Sequence, residues 1–207
     1  MRSATDNTVE LRILLGLWLA ALAASGYAPA DRLTWFLEVA PLLIAIPLLI
    51  GTRAAFPLTP LLYKLIFLHG LILILGGHYT YAEVPLGFWV QEAFDLSRNH
   101  YDRLGHFAQG FVPAIFAREI LLRNTALSPG KMLFLIVASL CLAFSAFYEL
   151  IEWWAAVAIG ADADSFLATQ GDVWDTQWDM FTALIGAVSA QILLARLHDR
   201  ELVRLKI

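Results

Sequence analysis

The sequence predicts an all-α integral membrane protein, a polytopic bundle of about six transmembrane helices, on three observations. Of its 207 residues, 59% are hydrophobic and 15% charged, against roughly 45–50% and roughly 25% in soluble domains. The apolar residues gather into blocks near the roughly 20 residues that a spanning helix needs. Lysine and arginine collect on alternate connections between those blocks.

The blocks run in order as 11–27, 33–51, 61–77, 104–122, 132–158 and 174–197, and 1–207 reads as a single transmembrane domain. Ala28-Pro29-Ala30 after the first block resembles a signal-peptidase site. The block is longer than a signal h-region of roughly 7–15 residues, so a retained helix is the better reading. Connections are short except 79–103. That aromatic, acidic stretch is expected to lie at the interface as a short amphipathic element.

Placing the N-terminus inside puts eleven basic residues on the inner side: Arg2, Arg12, Arg53, Lys64, Arg118, Arg123, Lys131, Arg196, Arg200, Arg204 and Lys206. Three remain outside: Arg32, Arg98 and Arg103. This bias predicts that both termini are cytoplasmic. The outer loops are acidic instead, with Glu83, Glu92 and Asp95 in one and Asp162, Asp164 and Asp172 in another.

The net charge of -4 is mild. No basic run or C-x-x-C pair offers a nucleic-acid or structural zinc module, and no haem or flavin motif is present. Cys141, the single cysteine, reads as a small buried hydrophobe and excludes an intramolecular disulfide.

Ionisable groups inside a membrane need a reason. Counting up each helix from its inner basic residue, Arg123 to His106 is 17 positions, Lys131 to Glu149 is 18, and Arg196 to Asp179 is 17. At about 1.5 Å per residue these three reach one depth, about 25–27 Å above the inner boundary. His78, 14 positions from Lys64, lies nearby. Asp102 and His106 share a helix face, as do Glu149 and Glu152, and Asp175 and Asp179. The segments 101–106 and 174–179 also echo one another (aromatic, Asp, three residues, then His or Asp), which fits a parallel repeat.

Histidines among carboxylates suit a divalent metal: zinc, manganese, iron or magnesium. The expected ligands are His78, His106, Glu149 and Asp179. Asp102, Glu152 and Asp175 are expected to orient the histidines or act as acid–base groups. Arg98 and Arg103 are the cations that pair carboxylates or bind a phosphate. Simpler readings stand beside these. Asp102 and Asp175 sit where a helix N-terminus favours a carboxylate. His100 reads as solvated in its loop, and His198 as solvated on the cytoplasmic tail. His69 is expected to hydrogen-bond a neighbouring helix. Glu38 either joins the site or snorkels. Gln109 and Tyr148 offer polar contacts, and Trp89, Trp153, Trp154, Trp174 and Trp178 read as an outer aromatic belt.

The segments HYTYAEVP (78–85), RNHYDRLGHFAQGF (98–111), FYELIEW (147–153) and QGDVWDTQWDM (170–180) resemble the YjdF-like bacterial inner-membrane family over nearly the whole chain. The resemblance implies a bacterial inner-membrane protein and supplies no activity. A looser similarity is to VanZ-like membrane proteins, which carry Asp-x-x-x-His opening one helix and a later Asp opening a Gly-containing helix. Here the matching residues are Asp102, His106, and Asp175 or Asp179, with Gly186 following. It points to cell-envelope or lipid biology.

Three functions compete. A metal or acid–base centre at the outer boundary suits a hydrolase or transferase acting on a lipid headgroup or envelope substrate. No nucleophile elbow or phosphatase signature is present. A small ion-coupled transporter is the second reading, weakened because polar residues gather near one side. The third is a structural or partner-binding envelope protein held by a polar network. Membrane lipids are the expected partners, and no nucleic acid is.

Overall fold

The computed structural model describes residues 4–160 and 164–205. The sequence assignments of Arg2, Asp162 and Lys206 lie outside these. Helix α1 is Ala4–Ser25. Helix α2 is Arg32–Thr52, started by Asp31, whose carboxylate accepts from the Thr34 amide at 2.7 Å. Helix α3 is Pro60–Tyr79, capped by Thr59 with proline in its first turn, where a missing N–H costs nothing. A 3₁₀ turn, Tyr81–Glu83, leads into α4, Pro85–Ala93. Then come α5, Tyr101–Asn124, and α6, Lys131–Ile159. A single turn, α7, is Asp164–Leu167, and α8 is Asp175–Arg204.

Helices α1, α2, α3, α6 and α8 are long and apolar enough to cross a membrane, whereas α5 is too polar to qualify by composition. Its position explains how that polarity is tolerated. Helix α5 packs against α3, α6 and α8, and buries Asp102, His106, Gln109, Arg118 and Glu119. The apolar helices shelter a polar axis that would be costly against lipid. The five tryptophans expected to form a belt are all at least half exposed. Helix α4 exposes Phe88, Trp89 and Val90. Glu83, Glu92 and Asp95 are exposed around it.

The closest pairing is α5 with α8. These helices run parallel, since Arg103 meets Asp175 near their starts and Arg118 meets His198 near their ends. Two glycines permit the approach. A Cβ on Gly110 would collide with the Ala183 carbonyl, and one on Gly186 with the Phe107 carbonyl. Small residues at a crossing let backbones meet, and this contact brings the polar starts of the two helices together. Further along, an apolar layer fills the bundle: Leu58 and Leu62, Ala114 and Ile115, Leu133, Val137 and Cys141, Ala187 and Ala190.

Helix α8 starts at Asp175 and continues to Arg204, seven residues past the expected end at 197. His198 therefore lies on a helix and is fully buried, not solvated on a tail.

Candidate metal centre

Asp102 and His106 sit one turn apart on α5, and Asp179 faces them from α8. One donor atom from each lies within 4.8 Å of the others, and all three residues are buried. His106 Nδ1 is 2.9 Å from Gln109 Oε1. With that oxygen as acceptor, Nδ1 carries the proton and Nε2 presents its lone pair. Nε2 in turn is 3.5 Å from Asp102 Oδ1 and 3.7 Å from Asp179 Oδ1. These separations are long for hydrogen bonds. They match the edge, about 3.4 Å, of a tetrahedron with arms of about 2.1 Å around a zinc-sized ion. Glu149 Oε1 on α6 is 3.8 Å from His106 Nδ1, and that oxygen is buried without a hydrogen-bond partner.

A second layer fixes the carboxylates. Arg103 donates to Asp179 through Nη1 and to Asp175 Oδ1 at 2.6 Å through Nη2. Arg98 donates to Asp175 Oδ1 at 2.8 Å and to the Ala168 carbonyl at 3.1 Å. Both arginines reach Asp172 Oδ2, at 3.4 and 3.3 Å. Asp102, Asp172, Asp175 and Asp179 thus face two guanidinium groups, so carboxylates outnumber the cations that pair them. Asn99 and Gln170 clamp the two loops: the Asn99 amide donates to Gln170 Oε1 at 3.1 Å, and Gln170 Nε2 donates to the Asn99 carbonyl at 2.8 Å. His100, beside them, is partly buried rather than fully solvated. That burial, with Arg98 and Arg103 nearby, lowers its pKa below the usual histidine range.

A cavity of about 140 Å³ adjoins the three-residue group and is shared with it through Asp102 and His106. Glu38, His69, Tyr81, Gln109, Tyr148 and Glu152 supply its other polar walls. Tyr81 reaches it by wedging its ring against Gly76 and Gly105.

Of the expected ligands, His106 and Asp179 meet, with Glu149 in their second layer. Asp102, expected as an orienting or acid–base group, stands instead among the candidate ligands. His78 lies outside the three-residue group, because its Nδ1 is held 2.8 Å from the Ser25 carbonyl. Its depth along the helix matches, but its side chain turns toward α1. Asp175 is committed to two arginines, and Glu152 lines the cavity. His69 departs from its expectation: its buried Nε2 has no hydrogen-bond partner.

A polar network not anticipated from the sequence occupies the opposite end. Glu119, fully buried on α5, accepts from Thr59 Oγ1 at 2.8 Å, Arg123 at 2.8 Å and His198 Nε2 at 3.0 Å. His198 Nδ1 accepts from Arg118 at 2.9 Å, because a guanidinium can only donate. Arg118 also pairs with Asp199 at 2.7 Å. Along α5 and α8, residues of the apolar layer lie between this network and the carboxylates around His106.

The family model described as a predicted membrane protein (DUF2238) matches residues 10–200. The chain is 58% identical over 198 residues to the Escherichia coli (strain K12) inner membrane protein YjdF, covering 96% of this chain and 92% of that one. No solved structure matches.

Proposed function

The chain belongs to the DUF2238 family and is a multi-pass inner-membrane protein; from the grouping of Asp102, His106 and Asp179 we propose that it is a metal-dependent hydrolase or transferase acting on a lipid or envelope substrate at the outer membrane boundary. In this reading α5 is a sixth span, both termini are cytoplasmic, and the His106 end of the bundle faces outward. The basic ends of α2, α3, α5, α6 and α8, with Arg53, Lys64, Arg123, Lys131 and Arg200, support that orientation.

One observation carries the metal reading. His106 Nε2 lies 3.5 Å from Asp102 Oδ1 and 3.7 Å from Asp179 Oδ1, distances suited to sharing a cation. Asp102, His106 and Asp179 would hold the ion, and Gln109 fixes the tautomer that ligates. Asp179 also accepts from Arg103, so it offers its remaining lone pairs. A divalent ion there activates water and polarises a phosphoryl or acyl oxygen. Glu149, with its unpartnered oxygen, is the group placed to take a proton, and Glu152 lines the cavity wall beside it. Asp175 holds Arg98 and Arg103 in place. A through-membrane carrier fits less well, because the apolar layer of Leu62, Ile115, Leu133 and Val137 closes the bundle beyond the cavity.

The test is the metal content of detergent-purified protein, for wild type, His106→Ala and Asp179→Ala. Near-stoichiometric zinc, manganese or iron in wild type, lost in both variants, is the expected result. Wild-type protein that stays metal-free after incubation with divalent ions would overturn the metal centre.

A further inference from the structure

The cavity beside the metal centre contains acceptors with nothing to accept from. Glu38 on α2 is 5% exposed and lines the cavity. Among the described residues it has no hydrogen-bond or ion-pair partner, and neither does Glu152 across the cavity on α6. The hydroxyls of Tyr81 and Tyr148 on the same wall are also unengaged by the described residues, whereas the neighbouring Tyr101 donates to the Ile72 carbonyl at 3.0 Å. No arginine or lysine is among the described residues lining the cavity. Two carboxylates and two tyrosines are therefore gathered around a space several times the roughly 30 Å³ of a liquid water.

We propose that this cavity binds a primary ammonium group, carried by an aminophospholipid headgroup. The inference rests on the outer-boundary site proposed above and names its substrate class. A primary ammonium has three N–H donors and no acceptor, which matches two carboxylates and a phenol oxygen. A second metal ion is a poorer match. Among the described residues the one group with metal-ligand spacing is Asp102, His106 and Asp179, and much of the remaining wall is apolar or aromatic: Pro41, Leu73, Pro113, Phe144. The lipid source follows from access. Helix α2 packs on α3 and α7, while α6 packs on α5, α7 and α8. The side of the cavity between α2 and α6 is bounded by Pro41 and by Phe144, which is 51% exposed on the bundle's lipid-facing surface. A headgroup entering there would place its ammonium between Glu38 and Glu152, and its phosphate toward the Asp102–His106–Asp179 group.

The test is native mass spectrometry of the full-length protein in detergent, with equimolar phosphatidylethanolamine and phosphatidylglycerol of the same acyl chains. Selective retention of phosphatidylethanolamine is expected, reduced at least tenfold in the Glu38→Gln, Glu152→Gln double variant. Elution volume and melting temperature confirm that this variant is folded, and Glu38→Gln alone provides a milder version. Equal retention of both lipids, or selectivity unchanged in a folded double variant, would overturn the proposal. Free ethanolamine, titrated from the lipid's own concentration up to the millimolar range, separates the sources. Failure to displace the lipid supports a headgroup site, and displacement at a concentration matching the lipid's assigns the ammonium pocket to a soluble amine. Metal content is read on the same samples. Ethanolamine-lipid selectivity in metal-free protein would leave the ammonium site standing while the metal centre fell.

Discussion

His198 donates through Nε2 to Glu119 at 3.0 Å while accepting through Nδ1 from Arg118 at 2.9 Å, and both His198 and Glu119 are completely buried. The ring is thus a neutral relay between an acid and a guanidinium, joining α8 to α5. A glutamine offers the same pair of functions, an N–H donor and a carbonyl acceptor. His198→Leu removes both and leaves buried charged partners short of a hydrogen bond, at a cost of about 2–3 kcal/mol. His198→Gln is expected to lose less than half of that. Thermal unfolding in detergent compares the two, and equal losses would show that the ring's packing matters more than its hydrogen bonds.

The register of α5 against α8 depends on Gly110, where any side chain meets the Ala183 carbonyl. Overpacking against backbone cannot be relieved by a rotamer change. Gly110→Leu should therefore destabilise by at least about 2 kcal/mol and lower metal retention with it, since His106 and Asp179 are placed by this crossing. Gly16 is the contrast. It lies within α1, and a methyl group there would have no neighbour within 4 Å, so Gly16→Ala should stabilise by roughly 0.5–1 kcal/mol. Melting temperatures of the two variants check both signs.

Much of the arrangement was legible in the sequence because lipid enforces simple rules. Block lengths located all six long helices, and counting from basic residues placed His106, Glu149 and Asp179 at one level. Depth is only one coordinate, however. It carries no azimuth, which is why His78 matched in height yet turns to Ser25. The echo between 101–106 and 174–179 corresponds to the two parallel helices whose starts build the site. His198 was misplaced because hydropathy falls at 197 while the helix continues. The signal was available: buried Ala183, Ala187, Ala190, Gln191 and His198 form one stripe at helical spacing, and a polar residue ending such a stripe faces the bundle. Glu119 was missed for a related reason: the inner-side count takes in Arg118 and Arg123 and passes over the acid between them.

Asp31 caps α2 from outside the span, and its carboxylate is held below the usual aspartate range chiefly by the Thr34 amide it accepts from. A lowered folded-state pKa means that the cap's charge-dependent contribution is fully present above the unfolded value of about 3.9. It is lost as pH falls through the lower folded value. Asp31→Ala should cost about 1 kcal/mol at neutral pH, with the gap to wild type narrowing in acid. Melting curves at neutral and acidic pH measure it, and a gap that widens in acid would reverse the sign argued here.

Arg103 is the cation on which the site's carboxylates depend most. It contacts Asp172, Asp175 and Asp179 and lies 3.6 Å from Asp102, with a side chain only 13% exposed. Removing one partner of a buried ion pair costs more than the pair contributes, because the remaining charge is left uncompensated. Arg103→Leu should destabilise by up to about 3–5 kcal/mol. Arg98→Leu should cost less, since Arg103 still covers Asp175 and Asp172. The excess of carboxylates over cations gives a second expectation. Arg103→Leu exposes Asp179 to a metal without competition, so added zinc should recover more thermal stability in this variant than in wild type. Asp179→Asn combined with Arg103→Leu should be less damaging than the sum of the two single changes. A double-mutant cycle on melting temperature, with and without zinc, checks both. An additive cycle with no zinc-dependent recovery would place Arg103 outside the electrostatic account of this site.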